Sequence, residues 1–263
     1  MGLFYPIVDR ILFGEHKYAL PLQTIVQHLM RGPRPASFTF RRGPAKGFTF
    51  FCLTSEKYYF ERSDFERPVG LLFESIVKPD WVIYEVGGHI GYWAVVLSKL
   101  CGEKGQVHVF EPSQLNFSRL YGNLQANGLS NITPYNLAVS EEDGPLGFSE
   151  DGSMSQVGGA NSTTTVQAIR LDDFMRAKPA PNLMLVDAEF HGDKVLRGAN
   201  EILRHARPDL VYEVHDAREE RKIDEILFPL GYRPSPIDRA DGFPKRLYAK
   251  SNPSASDTLL KML

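Results

Sequence analysis

A chain of 263 residues is long enough to bury about three-quarters of its unfolded surface, so its core needs no disulfide or metal staple. Thirty basic and 32 acidic side chains leave a formal charge of -2, which argues against a dedicated nucleic-acid binder. Two cysteines, Cys52 and Cys101, each among apolar neighbours, exclude a disulfide scaffold and read as buried small hydrophobes in a reducing compartment. No apolar run reaches transmembrane length. Pro6, Asp9, Gly14, Glu15, His16 and Lys17 interrupt the stretch where a signal peptide would carry its apolar core, so the sequence reads as cytoplasmic.

Residues 1–80 read as an N-terminal lobe distinct from the remainder of the chain. His16 to Ser55 contains no acid but six basic residues, Lys17, Arg31, Arg34, Arg41, Arg42 and Lys46, giving +6 in a chain of net -2. This imbalance suggests either an anionic acceptor or a solvated basic face. Leu22, Ile25, Val26 and Leu29 have the spacing of a short amphipathic helix. Phe38-Thr39-Phe40 and Phe48-Thr49-Phe50 alternate on either side of Gly43-Pro44-Ala45-Lys46-Gly47 and predict a β-hairpin. Val69, Leu72, Phe73 and Ile76 predict a second helix, ended by Pro79.

From residue 81 to about 250 strands and helices alternate. Trp81–Val86, Val107–Phe110, Ile132–Val139, Leu183–Val186 and Leu210–Val214 are apolar runs of strand length. Helical faces lie between them at Ile90 to Leu100, at Phe117, Leu120, Tyr121 and Leu124, and at Val195 to Leu203. Strands apolar on both faces and alternating with helices predict an α/β fold with a doubly wound, Rossmann-like parallel sheet. Gly231 to Lys250 is expected to add antiparallel edge strands, and 251–263 reads as a frayed tail. The Gly-, Ser- and Thr-rich stretch 140–165 reads as a mobile surface loop, with a substrate-facing lid as the functional alternative.

The segment Glu85-Val86-Gly87-Gly88-His89-Ile90-Gly91-Tyr92 falls where the first of these strands meets its helix. Gly87, Gly88 and Gly91 stand at offsets 0, 1 and 4, whereas a dinucleotide fingerprint needs 0, 2 and 5, and His89 occupies the place of its second glycine. The strand also ends on an acid, Glu85. A carboxylate there repels a pyrophosphate but suits a ligand with an ammonium and a sulfonium, such as S-adenosylmethionine. Twenty residues beyond Gly91, Glu111 ends the second strand, placed to accept hydrogen bonds from two ribose hydroxyls.

With those residues in view, positions from about 56 to 250 resemble the FkbM family of S-adenosylmethionine-dependent methyltransferases. The likeness runs through the glycine turn, Phe110-Glu111-Pro112, Asn123-Leu124-Gln125-Ala126-Asn127, Asn136-Leu137-Ala138-Val139-Ser140, Leu171-Asp172-Asp173-Phe174, Asp187-Ala188-Glu189 and Glu213-Val214-His215. It departs from the family pattern in three places. Glu85 replaces an Asp, His89 replaces a small polar residue, and Asp-x-Glu-Gly becomes Asp187-Ala188-Glu189-Phe190, with Gly192 arriving two positions later. The resemblance implies a class I methyltransferase sheet and S-adenosylmethionine as cofactor. It implies O-methylation of a sugar, a glycan or lipid, or a natural product. The expected cofactor residues are Glu85, Gly87, Gly88, His89, Gly91, Glu111, Pro112 and Asp187, with Asn136 and Ala138 bordering the adenine.

Ligands of open α/β sheets bind outside the carboxyl ends of the strands, where Asp187, Glu189, Glu213 and His215 cluster. His215 is the expected general base, with Asp187 and Glu213 beside it; its alternative is a partner that merely orients Asp187. His191 reads as an exposed loop residue and His108 as structural. No metal is expected, because a histidine held by carboxylates needs none. The competing functions are an NAD(P)-dependent oxidoreductase on a Rossmann fold and a non-catalytic S-adenosylmethionine-binding protein.

Overall fold

The computed structural model describes residues 35–53, 56–57, 60, 66–149, 156–158, 162–238 and 245–250. The helix expected around Leu22 to Leu29 and the tail 251–263 lie outside them.

The hairpin forms as its alternation predicts. Strands Pro35–Thr39 (β1) and Thr49–Leu53 (β2) pair antiparallel, with Thr39 opposite Thr49. Helix Arg67–Ile76 (α1) comes next and buries Val69, Leu72 and Phe73. Phe40 and Phe50 meet Tyr92 of the next helix at ring-centroid distances of 5.5 and 6.5 Å. Hairpin and α1 therefore share one apolar cluster with the main sheet.

That sheet holds seven strands. Val82–Val86 (β3), Gln106–Phe110 (β4) and Ile132–Tyr135 (β5) run parallel, as do Leu183–Val186 (β10) and Asp209–Glu213 (β11) on the other side of β3. Tyr232–Asp238 (β12) and Lys245–Lys250 (β13) complete the spatial order β12-β13-β11-β10-β3-β4-β5. β13 lies inside the sheet, antiparallel to β11 and β12, so of these two only β12 is an edge. The central strands are mainly apolar because both faces are covered: Ile83 and Leu185 enter one core cluster, Tyr84 and Met184 the other. Order reverses between β3 and β10, which opens a crevice at their carboxyl ends.

Three helices aim the site. Tyr92–Cys101 (α2) begins directly after the glycine turn. Gln114–Ala126 (α3) is capped by Ser113, whose side chain accepts the Asn116 N–H at 3.1 Å. Its Asn123 and Asn127 side chains bond the backbone of Phe51 and Thr49, fastening the hairpin to the sheet. Tyr121, expected on the buried face of α3, points outward instead; Leu120, Asn123 and Leu124 take that face. The third helix, Ala217–Leu227 (α6), is capped by Asp216, which accepts the N–H groups of Arg218 and Glu219.

Two expected elements differ. The third strand splits at Asn136: β5 stays in the main sheet, and Ala138–Val139 (β6) leaves it. β6 joins Gly144–Ser149 (β7), Gln156–Val157 (β8) and Thr164–Ile169 (β9) in a four-stranded sheet of order β6-β9-β7-β8. Much of the stretch expected to be loop is therefore strand. Many of its side chains are small and polar because most of this sheet is only partly buried; in β7 only Phe148 is fully buried. After the short helix Leu171–Met175 (α4), the helix expected over Val195–Leu203 becomes Gly192–Arg197 (α5) and a π-helical turn, Ile202–Ala206. Asp172 of α4 accepts the N–H groups of Glu201 and Ile202, both at 3.0 Å, and so restarts the helix there.

Candidate active site

An open cleft lies at the carboxyl ends of β3, β4 and β10, where ligands of open α/β sheets bind. Its first wall is the glycine turn. Gly87 and Gly88 both donate their N–H to the Phe110 carbonyl, at 2.9 and 3.1 Å. Gly87 has φ +89, and a Cβ there would lie 1.8 Å from the Asp187 carbonyl oxygen, so no other residue fits between the two strand ends. His89 has φ +46, a left-handed conformation that glycine adopts most readily.

Glu111 organises the opposite side. Its Oε2 accepts the His89 N–H at 2.8 Å and its Oε1 the Ser113 N–H at 2.9 Å, so the acid and the turn hold each other. Burial pushes its carboxyl up to about 7 against the lowering effect of those bonds. The carboxylate lines the cleft and retains lone pairs for further donors. The His89 ring is held neutral by burial; its Nε2 lies 3.7 Å from Glu56 Oε1, and Glu56 is bonded in turn to Arg119.

Of the expected cofactor residues, Gly87, His89, Glu111, Pro112, Ala138 and Asp187 line the cleft, and Glu85, Gly88, Gly91 and Asn136 do not. Asn136 works one layer back, donating from Nδ2 to the carbonyls of Glu111 and Pro112 at 2.9 and 3.1 Å. Gly88 leaves room for Val109, and Gly91 starts α2 at φ +93. Glu85 is fully buried, and its Oε2 has no hydrogen-bond partner. Burial, reinforced by the charge of Asp187, pushes its carboxyl well above the usual range. Asn116, Leu137, Val139, Val157 and Ala188 also line the cleft and were not anticipated. Asn116, in the first turn after a Ser cap, had a readable signal; Val157 had none.

Beyond β10 the cleft is acidic. Asp187 and Glu189 face it, and His215 lies behind them with its side chain 1% exposed. His215 Nε2 is 3.4 Å from both Asp187 Oδ1 and Glu189 Oε2, and Nδ1 is 3.2 Å from Glu219 Oε2. Burial lowers the imidazole pKa, but the bonds to Asp187 and Glu219 and the surrounding charges outweigh it and carry it up to about 10. His215 is thus an enclosed imidazolium at neutral pH. That state does not suit the expected general base. Glu189 is different: burial raises its pKa despite the imidazolium beside it, and it faces the cleft.

Glu213 is half-buried at the end of β11 and does not line the cleft. With Asp187 and His215 it presents potential ligand atoms within 4.8 Å of one another. We read this trio as a proton-holding network, because both imidazole nitrogens already face carboxylates. His191, expected to be exposed, is buried and lines the cleft; its Nε2 is 3.0 Å from Ser140 Oγ, and burial lowers its pKa to about 4, so it is neutral. His108 packs against Tyr84 and bonds the Tyr135 hydroxyl at 3.1 Å, a structural role. Arg41, Arg42 and Lys46 are exposed at the hairpin turn and do not line the cleft; Lys17, Arg31 and Arg34 lie outside the described residues.

The residues fit S-adenosylmethionine. Glu111 offers acceptors to ribose hydroxyls, the crowded Gly87 turn allows close backbone approach, and Asp187, which faces the cleft, suits a cationic methionine end. A doubly wound sheet with this acid-tied turn is that of a class I S-adenosylmethionine-dependent methyltransferase domain. The chain belongs to the methyltransferase FkbM domain family, whose pattern matches residues 85–234. It is 27% identical over 165 residues to the hexuronic acid methyltransferase AglP of Haloferax volcanii, covering 60% of this chain and 66% of that one. The fold is similar to that of the methyltransferase FkbM from Methylobacillus flagellatus KT, with a TM-score of 0.52 and 15% identity over 74% of this chain and 54% of that one. The chain therefore spans just under two thirds of the first protein and about half of the second. Among the described residues no helix is long and apolar enough to cross a membrane.

Proposed function

We propose that this chain methylates a hydroxyl of a sugar or glycan, with a hexuronic acid as the favoured acceptor. The observation that carries the reading is one cleft holding both a cofactor acid, Glu111, and a carboxylate of raised pKa, Glu189. A hydroxyl must lose a proton on methylation, whereas a carboxylate acceptor has none to lose. Glu189 supplies the place for that proton. The name of the Haloferax volcanii relative supports the sugar-acid class.

Bound S-adenosylmethionine supplies an electrophilic methyl group. Glu111 would hold the ribose and Asp187 would face the cationic end, since both line the cleft. Glu189 accepts the hydroxyl proton at its carboxylate. His215, itself protonated, lies 3.4 Å from both Asp187 and Glu189 and fixes them in place. We assign His215 a positioning role, with Glu213 behind it. Orientation of acceptor and cofactor in one cleft provides much of the acceleration. The charge balance keeps nucleic acid outside the proposed acceptor class.

The test is incubation with methyl-labelled cofactor and a panel of pyranosides that includes methyl glucuronopyranoside, read by mass spectrometry before and after mild alkali. An alkali-stable label supports hydroxyl methylation. An alkali-labile label identifies a carboxyl ester and overturns the assignment of Glu189 as proton acceptor. Calorimetric binding of NAD in place of S-adenosylhomocysteine would overturn the cofactor as well.

A further inference from the structure

Phe190 carries two unfavourable features at one position. Its φ is +54, the left-handed region that bulky side chains avoid. It is also 45% exposed, outside the cleft lining but between Glu189 and His191, which both belong to that lining. The turn does not need it: His191 donates its N–H to the Ala188 carbonyl at 3.0 Å, and a glycine would make the same turn without strain. The displaced Gly192 does not take over that task. It is required for another reason, since a Cβ there would lie 1.4 Å from the Tyr212 hydroxyl. Strain of this kind persists where the side chain has work to do.

The ring's placement indicates which work. Its centroid lies 5.5 Å from that of His215, tilted by 51°, so it rests against the enclosed imidazolium while part of it stays open to solvent. We propose that Phe190 is the platform on which the pyranose ring of the acceptor lies, selecting sugars over open-chain hydroxyl compounds. The face of a phenyl ring is electron-rich and attracts the weakly positive C–H groups on one side of a pyranose, leaving the hydroxyls at the rim free. The hydroxyl beside Glu189 is then oriented by ring stacking. This inference rests on the sugar-methylating function proposed above and names the residue that recognises the ring.

The experiment compares wild type with Phe190→Gly, Phe190→Leu and Phe190→Tyr, using methyl glucuronopyranoside and methyl glucopyranoside as acceptors. Phe190→Gly and Phe190→Leu should raise the acceptor KM by roughly three- to tenfold with kcat little changed, while Phe190→Tyr keeps the low value. Affinity for S-adenosylhomocysteine should not move. Phe190→Gly should hold Tm or raise it by about 2–4 °C, because the strain is released. An unchanged KM in Phe190→Leu overturns the proposal. So does a lowered Tm in Phe190→Gly with KM unchanged, which marks the ring as a mere cover for His215. If wild type methylates neither pyranoside, and saturation-transfer NMR shows no binding of either to the S-adenosylhomocysteine complex, the sugar reading itself fails and the platform falls with it.

Discussion

The Nδ1 of His215 lies 3.2 Å from Glu219 Oε2, and the same carboxylate oxygen accepts the His215 backbone N–H at 2.9 Å. Glu219 is fixed in turn, since its Oε1 accepts from the Tyr212 hydroxyl at 2.7 Å and from the Gly192 N–H at 3.2 Å. This pair keeps a buried imidazole charged, and the charge has a consequence for stability. The His215 pKa is carried from an ordinary 6.5 up to about 10 in the folded protein. A raised pKa contributes stability that is complete below the unfolded value and is lost as pH rises through the folded one.

Wild type should therefore lose stability relative to His215→Gln between about pH 6.5 and 10, by up to about 1.4 kcal/mol per pH unit. Urea unfolding of both proteins across that range measures it. Parallel curves would mean that His215 is not protonated in the fold.

Glu189→Gln should lower turnover by roughly two to four orders of magnitude, the usual general-base contribution. It should leave S-adenosylhomocysteine affinity intact, because Glu111 and the glycine turn are untouched. The pH profile separates a proton acceptor from a merely structural carboxylate. In wild type kcat/KM should rise with pH through the raised pKa of Glu189 and then level, and in the variant that acid limb should vanish. A variant that keeps the limb shifts the base elsewhere.

The main sheet was legible because its strands are short apolar runs with no competing period, and Glu111 because it stands at a strand end. The second sheet was not, since Gly144–Ser149 and Thr164–Ile169 each bury only one residue and carry loop-like residues. At the site, the sequence brings Asp187, Glu213 and His215 together, but the protonation of His215 depends on burial and on Glu219, which reaches it from the first turn of α6. Spacing alone does not reveal a charge state. The left-handed backbone at His89 and Phe190 was equally hidden, although both residues stand where related patterns carry glycine or a small side chain.

Glu111→Ala should weaken S-adenosylmethionine binding more than it alters the fold. Charge-assisted hydrogen bonds contribute roughly 1.5–3 kcal/mol each, so the loss should be about tenfold to a hundredfold in affinity. The variant also leaves the His89 and Ser113 N–H groups without their carboxylate acceptor, which sets the part of the effect that falls on the fold. Isothermal titration with circular dichroism as the control reads both effects. Full affinity in a folded variant would remove Glu111 from the ribose.

Methyl transfer should survive EDTA. Asp187, Glu213 and His215 bring possible ligand atoms within 4.8 Å, but a metal at that point must take an imidazole nitrogen that now holds a proton. Metal affinity falls when a ligand must first be deprotonated. Two carboxylates and an imidazole also match magnesium poorly, since it prefers an octahedron of oxygens. The protonated His215 already supplies positive charge between Asp187 and Glu189, the electrostatic task a cation would otherwise perform. Turnover measured after chelation, and again after adding back magnesium, manganese or zinc, decides the matter. Activity abolished by EDTA and restored by one of these ions would make the trio a ligand set and leave His215 neutral.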